Sequence, residues 1–401
     1  MQDRARKFRI AVREFPPFET AIRQQWDDFE RKAQTELSLE AISFDLHHLH
    51  QHLFERRGLE NGDWDVAFIS TDWLAEAAAN GLLLNLAPLL EMNPPQDYPR
   101  GWHPSLLQAQ TFGAEILGLP YHDGPECLIY RTDLVDESNL PLTWEEFHQL
   151  ARRLTDPQTN RYGTVFAAFP DGHNTVYDFC LQLWSRCGEL FDRDGSLTLN
   201  TPAASEALRY YRAIIRDSQA VHPRSGEFDS VQAGLAFARG EVAMMVNWFG
   251  FAAMCDTVAF SRIKGKVGVT RVPRGTPGAH ISLNAYWVLG ISPGSCHQQE
   301  AWAFLRHCAS PSMDKLLTLN GGIGCRISTW HDAEVVKLIP AYQQLDELHN
   351  YARGLPRFAR WAEVSRVLDR MILAAIHTDR GESDLLAEAE QQIRRIESRD
   401  E

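Results

Sequence analysis

The chain lacks the features of several protein classes. It has no basic excess: 53 acidic residues against 40 basic ones give a net charge of -13. This argues against the positive surface that nucleic acids or anionic lipids require. No apolar run approaches the ~18 residues of a membrane-spanning helix. The charged N-terminus is not followed by the apolar segment of a secretory signal. We therefore expect an extracytoplasmic protein if a signal was removed, and a cytoplasmic one if Met1 is the true start.

Catalytic and metal-binding motifs are also absent from the sequence. The seven cysteines include no C-x-x-C pair, and their odd number does not suggest a disulfide framework. There is no G-x-S-x-G, H-E-x-x-H or phosphate-loop motif. A glycosidase would need only two carboxylates, which 53 acidic residues supply in any case. We therefore expect no catalytic residues and no cofactor, with a glycoside-acting enzyme as a third and disfavoured alternative.

A histidine run at positions 47–52 is the cluster that could suggest a metal ion. His48 and His52 are one helical turn apart, a spacing at which two imidazoles can share an ion. However, the apolar residues Leu46, Leu49 and Leu53 would take the buried face of the same helix. This leaves the histidines in solvent, and we expect no physiological metal site here.

The N-terminal part alternates short apolar segments with amphipathic ones. Phe8–Val12, Leu37–Phe44 and Asp65–Ser70 are predicted strands, and the segments between them have helical spacing of apolar residues. Strands that alternate with helices indicate an α/β fold with a mostly parallel sheet. Ligands of such sheets bind beyond the carboxyl ends of the strands, which here lead into residues 13–18 and 70–73.

Further along, the sequence predicts a surface loop at Pro88–Pro104 and a second set of strands and helices. Thr143, followed three residues later by Glu146, forms a capping box that begins a helix. Additional strands are predicted at Val242–Val246, Lys266–Val272 and Ala285–Ile291, and the chain after Phe358 is expected to be helical.

Five ordered motifs resemble the extracellular solute-binding proteins of bacterial ABC importers, in the sugar-binding group. The motifs are Trp64-Asp-Val-Ala-Phe-Ile, Gly118-Leu-Pro-Tyr with Leu128-Ile-Tyr-Arg-Thr-Asp-Leu, Pro141-Leu-Thr-Trp-Glu-Glu-Phe, Phe237-Ala-Arg-Gly-Glu-Val-Ala-Met, and Pro356-Arg before the closing helices. The resemblance covers nearly the whole chain.

The resemblance implies a two-lobed periplasmic-binding-protein-like (type II) fold. Each lobe would be a mostly parallel sheet flanked by helices, and hinge strands would join the two lobes. One lobe would comprise residues 7–127 and 270–325, and the other residues 128–269 and 326–401. The resemblance also implies that a monomer binds a small polar ligand, a carbohydrate, in the cleft between the lobes and delivers it to an ABC importer permease. The alternative is a cytosolic or signalling sensor of the same fold. The sequence shows no secretory signal, and seven cysteines suit a reducing compartment better than an oxidising one.

The candidate ligand-binding residues of the first lobe follow predicted strands or lie in the first crossing loop. A sugar offers hydroxyl groups and flat C–H faces, so its site needs carboxylates, amides and aromatic rings. Thr71 and Asp72 have an alternative role as helix caps. The set comprises Glu14, Thr71, Asp72, Trp73, Tyr121, His122 and Asp123.

The remaining candidates carry the same residue types and lie in the second lobe, except Asn284, which falls in the 270–325 segment of the first lobe. Trp184 has core packing as its alternative role, and Trp248 could be either core or a stacking surface. Asn284 and Arg326 depart from the residues that the family usually has there. The set comprises His173, Tyr177, Trp184, Asn247, Trp248, Asn284, Arg326 and Trp361.

Overall fold

The computed structural model describes residues 6–192 and 196–397. The strands in these ranges are β1 (Lys7–Arg13), β2 (Ser38–Phe44), β3 (Val66–Ser70), β4 (Thr111–Phe112), β5 (Glu115–Ile116), β6 (Leu119–His122), β7 (Glu126–Arg131), β8 (Met244–Trp248), β9 (Val267–Thr270), β10 (Ser282–Leu283), β11 (Trp287–Ile291) and β12 (Ala352–Arg353).

The α-helices of the described ranges are α1 (Pro16–Ala33), α2 (Leu46–His50), α3 (Leu74–Ala79), α4 (Ala87–Met92), α5 (Pro104–Ala109), α6 (Trp144–Leu154), α7 (Asn174–Trp184), α8 (Pro202–Ile215), α9 (Ser230–Ala238), α10 (Phe249–Thr257), α11 (Gln298–Cys308), α12 (Pro311–Leu319), α13 (Ile327–Trp330), α14 (Ala333–Leu338), α15 (Leu345–His349), α16 (Trp361–His377) and α17 (Glu382–Glu397). A π-helical turn, Gln51–Glu55, continues α2. None of these helices is both long and apolar enough to span a membrane.

Two units are built from discontinuous segments of the chain. The first unit contains the residues up to Gly124 together with Ala285–Leu345 and Gly354–Ala359. The second contains Pro125–Asn284, Asp346–Arg353 and the residues from Arg360 onward. The units change over at 124/125 and 284/285, whereas the lobes predicted from the sequence change over at 127/128 and 269/270. The lobe assignment stays a prediction.

The first unit has a five-stranded sheet in the order β2-β1-β3-β11-β6. Strand β1 pairs in parallel with both β2 and β3, as the alternation of apolar and amphipathic segments predicts. Strand β11 returns from late in the sequence and pairs antiparallel with β3 and β6. The described strands of this sheet therefore combine a parallel half with an antiparallel half.

Helix α1 shows how the sequence fixes the packing of this unit. Two prolines begin the helix, where missing N–H donors cost nothing. Its buried face carries Ile22, Trp26 and Phe29, and the Trp26 ring stacks on Phe8 of β1 at 4.8 Å between centroids. Each buried side chain of this size contributes about 1.5–3 kcal/mol of stability. The helix is therefore held to the sheet chiefly by this apolar face.

The second unit has a three-stranded sheet in the order β8-β7-β9, and its strand directions differ from the predicted mostly parallel arrangement. Strand β7 lies in the middle and pairs antiparallel with both neighbours. Because both neighbours are antiparallel to β7, β8 and β9 run in the same direction without pairing to each other, and helix α10 connects them. Parallel pairing in the described part of this unit includes single bridges such as Tyr162 to Val242.

Local signals in the sequence locate helix ends more reliably than loops. The capping box of α6 forms as predicted, because the Thr143 side chain accepts from the Glu146 N–H and the Glu146 carboxylate accepts from the Thr143 N–H. The loop predicted at Pro88–Pro104 is wrong in its first part. Residues 88–92 belong to α4, where Leu90 is buried and stabilises the short helix by packing.

Candidate functional site

Several predicted site residues meet at one edge of the first-unit sheet. The carboxyl ends of β1 and β3 point the same way, so Glu14 and Thr71 follow neighbouring strands at the same edge. The antiparallel strand β11 begins there, with Trp287 opposite Ser70 on one side and His122 on the other. The pairing register therefore brings residues that are far apart in sequence to a single edge.

Aromatic rings form a cluster at this edge, which we call the first-unit cluster: Trp73, His122 and Trp287. The rings of Trp73 and Trp287 lie 5.7 Å apart at 89°, an edge-to-face contact. Trp73 is buried and is also packed against His50 and Phe54 of the segment before β3. Trp287 is only half-buried. Trp287 was not predicted from the sequence, although an aromatic residue at the start of a buried strand could have indicated it.

His122 is a neutral imidazole in this environment. Its Nδ1 accepts a hydrogen bond of 2.8 Å from the N–H of Ile323, and its ring meets the edge of Phe18. Burial lowers the pKa of His122 to about 3, against the opposing effect of Asp123. Because Nδ1 is the acceptor, the proton resides on Nε2. The side chain can thus donate, but it does not carry charge near neutral pH.

Two predicted residues of the first unit are enclosed in its interior. Tyr121 donates its hydroxyl proton to Gln25 Oε1 at 2.9 Å and packs against the Phe68 ring. Asp123 is completely buried, and its N–H donates to the carbonyl of Ile323. Glu14, by contrast, is exposed, and Thr71 uses its hydroxyl oxygen to accept from the Tyr286 N–H. Asp72 lies between Thr71 and Trp73 in a 3-10 turn.

Predicted residues of the second unit gather where β8 ends beside β7. Trp248 is directly opposite Glu126 in the antiparallel register and remains half-buried. The ring of Tyr177 from α7 meets the Trp248 ring edge-on, with 5.8 Å between centroids. Asn247 is buried, and its amide donates to the carbonyl of Ser230 at 3.1 Å. Asn247 therefore holds the end of the strand while Trp248 presents part of its ring.

Two carboxyl groups lie in the same place and were not predicted from the sequence. Glu126 is 5% exposed, and no described residue hydrogen-bonds to its Oε2 atom. Burial raises the pKa of Glu126 well above its usual range, and the negative charge of nearby Asp178 raises it further. Burial also raises the pKa of Asp178 to about 7, although the Tyr211 hydroxyl donates to it at 2.8 Å. We call Glu126, Tyr177, Asp178 and Trp248 the second-unit cluster.

An acidic residue at the start of a buried strand is the signal that could have pointed to Glu126. It directly precedes Cys127, which is fully buried, and Asp178 likewise lies in a helix whose residues are mostly buried. Buried carboxyl groups need partners, and an oxygen without one in the described residues is suited to a ligand hydroxyl.

Four other predicted residues of the second unit have structural contacts. His173 precedes α7 and its Nδ1 lies 2.9 Å from the carbonyl oxygen of Asp171. The guanidinium of Arg353 covers the ring of buried Trp184 at 4.2 Å. Trp361 is buried at the start of α16. Asn284 is buried, its N–H donates to the Arg353 carbonyl, and no described residue bonds to its Oδ1.

Arg326 lies in the first unit and is fully enclosed there. Its guanidinium donates to the carbonyl oxygens of Gln96 and Ala309, and lies 4.4 Å from the centre of the Trp102 ring. An ion pair with Asp97 at 3.3 Å completes the environment. These contacts give Arg326 a role in packing this unit.

The histidine run has carboxylate neighbours. His48 is exposed, with Nδ1 2.5 Å from Asp45 Oδ2, and His50 Nε2 is 3.1 Å from Glu76 Oε2. Burial lowers the pKa of His52, and neighbouring Arg56 adds to the effect. Leu49 and Leu53 are buried, as the apolar spacing predicts, but His50 and His52 are half-buried, so the prediction that the histidines lie in solvent is wrong for these two.

Comparison with known proteins identifies a shared family and fold. The model of a family described as bacterial extracellular solute-binding protein matches residues 54–315. A probable ABC transporter-binding protein of Deinococcus radiodurans is 23% identical over 86% of this chain and 83% of its own length. Maltose-bound MalE3 of T. maritima is similar with a TM-score of 0.88 and 22% identity, over 97% of this chain and 99% of the other. A ribitol-bound ABC transporter solute-binding protein of Agrobacterium radiobacter is similar with a TM-score of 0.89 and 21% identity, over 97% of this chain and 98% of the other.

Proposed function

Because the chain belongs to the bacterial extracellular solute-binding protein family, we propose that it captures a carbohydrate or polyol and delivers it to the permease of an ABC importer. The maltose and ribitol held by two structurally similar proteins support this ligand class. The name of the Deinococcus radiodurans relative supports the link to an ABC transporter. Delivery to the permease of an importer requires that the protein works outside the cytoplasm. We propose that it does so as a monomer.

The observation that carries the proposal is the chemistry of the second-unit cluster. Trp248 presents a partly exposed indole, the kind of flat surface that packs against the C–H face of a sugar ring. Directly across the strand pair, Glu126 has a buried oxygen with no hydrogen-bond partner in the described residues. A sugar hydroxyl would satisfy that oxygen. Ring stacking and hydroxyl recognition are thus available from adjacent residues.

The first-unit cluster provides a similar combination of groups. Trp287 is half-buried beside Trp73, and His122 offers a neutral donor at the same sheet edge. Glu14 is exposed beyond the end of β1. We propose Glu14, Thr71, Asp72 and the first-unit cluster as ligand contacts of this unit. The absence of a charged histidine here suits an uncharged ligand such as a sugar.

We propose that the bound ligand is released unchanged. Transport needs reversible binding, and a raised pKa of a carboxyl group is explained here by burial rather than by a catalytic requirement. Incubation of the protein with maltose and longer oligosaccharides should therefore give no products by chromatography. Accumulation of a hydrolysis product that Glu126→Gln abolishes would contradict the proposal.

A thermal-shift screen against sugars and polyols, followed by calorimetric titration, tests the function. A ligand at 100 times its Kd stabilises the folded state by about 2.7 kcal/mol, which gives a clear shift in Tm. We expect a carbohydrate to produce this shift and expect Trp248→Ala to reduce it. Amino acids and inorganic phosphate are the matched negative ligands. A shift with these alone would overturn the assignment to carbohydrates.

A further inference from the structure

Three side chains with metal-binding donors lie together in the first unit, away from the residues proposed to bind the carbohydrate. Asp65, Cys296 and His297 each place one donor atom within 4.8 Å of the other two. Asp65 directly precedes β3, whereas Thr71 directly follows it. The five residues of β3 span roughly 17 Å. The three donors therefore lie at the opposite sheet edge from the first-unit cluster.

The structure assigns to these three residues a binding site for a divalent, borderline-soft metal ion, with Zn²⁺ as the representative ion. The donors are a carboxylate oxygen, a thiolate sulfur and an imidazole nitrogen, all of which Zn²⁺ accepts. In a tetrahedral zinc site the donor atoms are roughly 3.3–3.8 Å apart. The present separations are at most 4.8 Å, so they exceed these values by at most about 1.5 Å, a gap that the side chains would close around a bound ion.

The surrounding contacts hold two of the ligands in place before an ion arrives. Asp65 Oδ2 accepts from the Arg9 N–H at 2.8 Å, and Oδ1 accepts from the Ser295 hydroxyl at 2.5 Å. Ser295 Oγ in turn accepts from the His297 N–H at 2.9 Å. One serine thus connects the carboxylate to the backbone of the histidine. Such outer contacts orient metal ligands and raise the affinity of a site.

The imidazole has a nitrogen available for coordination. His297 Nε2 is shielded from solvent, and no described residue forms a hydrogen bond with it. A buried nitrogen without a partner costs free energy that coordination would recover. Cys296 is exposed and gives an ion a path from solvent to the site. The histidine run differs in this respect, because His48 and His50 already face carboxylates.

A bound ion would connect two segments of the first unit that are distant in sequence. Asp65 directly precedes β3, and His297 directly precedes α11. Serine contacts already link these segments, since the Ser292 N–H donates to the Asp65 carbonyl. An ion that binds only the folded arrangement stabilises it by mass action. The site would therefore raise the thermal stability of the unit without contacting the carbohydrate.

Metal titration of the chelator-stripped full-length protein tests the site. We expect one Zn²⁺ per chain by calorimetry and an increase in Tm. Co²⁺ used as a spectroscopic probe should show the near-ultraviolet charge-transfer absorption of a thiolate ligand. Cys296→Ser should abolish that absorption. Ser295→Ala should weaken binding about 10–100-fold, and His297→Ala should weaken it at least as much.

Two matched variants distinguish this site from unspecific binding. Cys187→Ser removes the other exposed cysteine, and His48→Ala interrupts the histidine run. Both should retain stoichiometric Co²⁺ binding with the thiolate absorption. Binding that survives Cys296→Ser and His297→Ala, or that His48→Ala removes, would overturn the proposal. Asp65→Asn is informative if its circular dichroism is native. If that variant does not fold, the Cys296→Ser and His297→Ala variants decide the outcome.

Carbohydrate titration of the same variants keeps this proposal separate from the proposed function. We expect Cys296→Ser and His297→Ala to bind the sugar with the affinity of the original chain. A protein that binds no carbohydrate could still bind Zn²⁺, and the reverse also holds.

Discussion

Glu126 lies directly opposite Trp248 in the antiparallel pairing of β7 with β8. The carboxyl group is buried, whereas the indole is half-buried. The pairing therefore puts a buried carboxyl oxygen that has no hydrogen-bond partner in the described residues, and a partly exposed aromatic ring, on neighbouring strands whose separation the register fixes. A ligand contact built on paired strands is held more rigidly than one on a loop.

Replacement of Trp248 by Ala should remove most of the affinity for the carbohydrate. Buried tryptophan contacts in binding sites commonly contribute at least about 2 kcal/mol. We therefore expect Kd to rise more than about 10-fold, because 1.4 kcal/mol corresponds to a factor of ten. Isothermal titration measures this change.

The matched control for that experiment is Phe260→Ala, which removes an aromatic side chain that is 52% exposed elsewhere in the second unit. This variant should bind the ligand normally. Equal affinity of the Trp248 variant and the original chain would exclude Trp248 as a contact.

Protonation of Asp178 should make stability depend on pH. Burial raises its pKa from 3.8 to about 7, so the native state holds an extra proton between these values. The free energy of unfolding therefore falls as pH rises from about 4 to about 7, by up to ~1.4 kcal/mol per pH unit for one proton. We expect Asp178→Asn to make this fall less steep.

Urea denaturation across that pH range measures the slope. The pKa of Glu126 is also raised, so Glu126 contributes to the same pH dependence. Asp178→Asn should therefore remove only the part of the slope that is due to Asp178. Glu206→Gln changes an exposed acid of α8 and should leave the slope unchanged. An unaltered slope in Asp178→Asn would show that this carboxyl group is ionised throughout.

The sequence predicts those parts of the fold that depend on local signals. Apolar spacing located β1, β2 and β3, and the cap at Thr143 located the start of α6. It also placed Trp73 and Trp248 at the ends of buried strands, where the structure has them. Each of these features depends on residues that are close along the chain.

Features that depend on long-range pairing were not predictable in this way. Trp287 reaches the first-unit cluster because β11 pairs antiparallel with β3, far earlier in the chain. Glu126 and Asp178 come together only through the packing of α7 near β7. The interior position of Arg326 likewise depends on carbonyl groups of Gln96 and Ala309. No periodicity within a short segment encodes such contacts.

Gly163 should tolerate no side chain. A Cβ atom at this position would lie 1.9 Å from the carbonyl oxygen of Ala151 in α6. Because backbone atoms cannot move aside cheaply, we expect Gly163→Ala to destabilise the protein by about 3 kcal/mol or more. Gly226 has open space around its Cα, so Gly226→Ala is the matched control. Similar denaturation midpoints for the two variants would contradict the close approach.

Arg326 should support stability rather than ligand binding. Its side chain is 1% exposed and donates to two backbone carbonyl groups while it covers the Trp102 ring. Arg326→Lys keeps the charge but cannot reproduce the planar contact, and truncation of a buried charged network costs about 3–5 kcal/mol. We expect the Lys variant to lose part of that amount in urea denaturation.

Carbohydrate titration of the same variant separates the two roles of Arg326. If the guanidinium only packs the first unit, the folded Lys variant binds the sugar with unchanged Kd, because no ligand contact has been removed. Arg100→Lys alters an exposed arginine of the same unit and should change neither property. A large rise in Kd together with an unchanged free energy of unfolding would instead make Arg326 a ligand-binding residue, as the sequence first suggested.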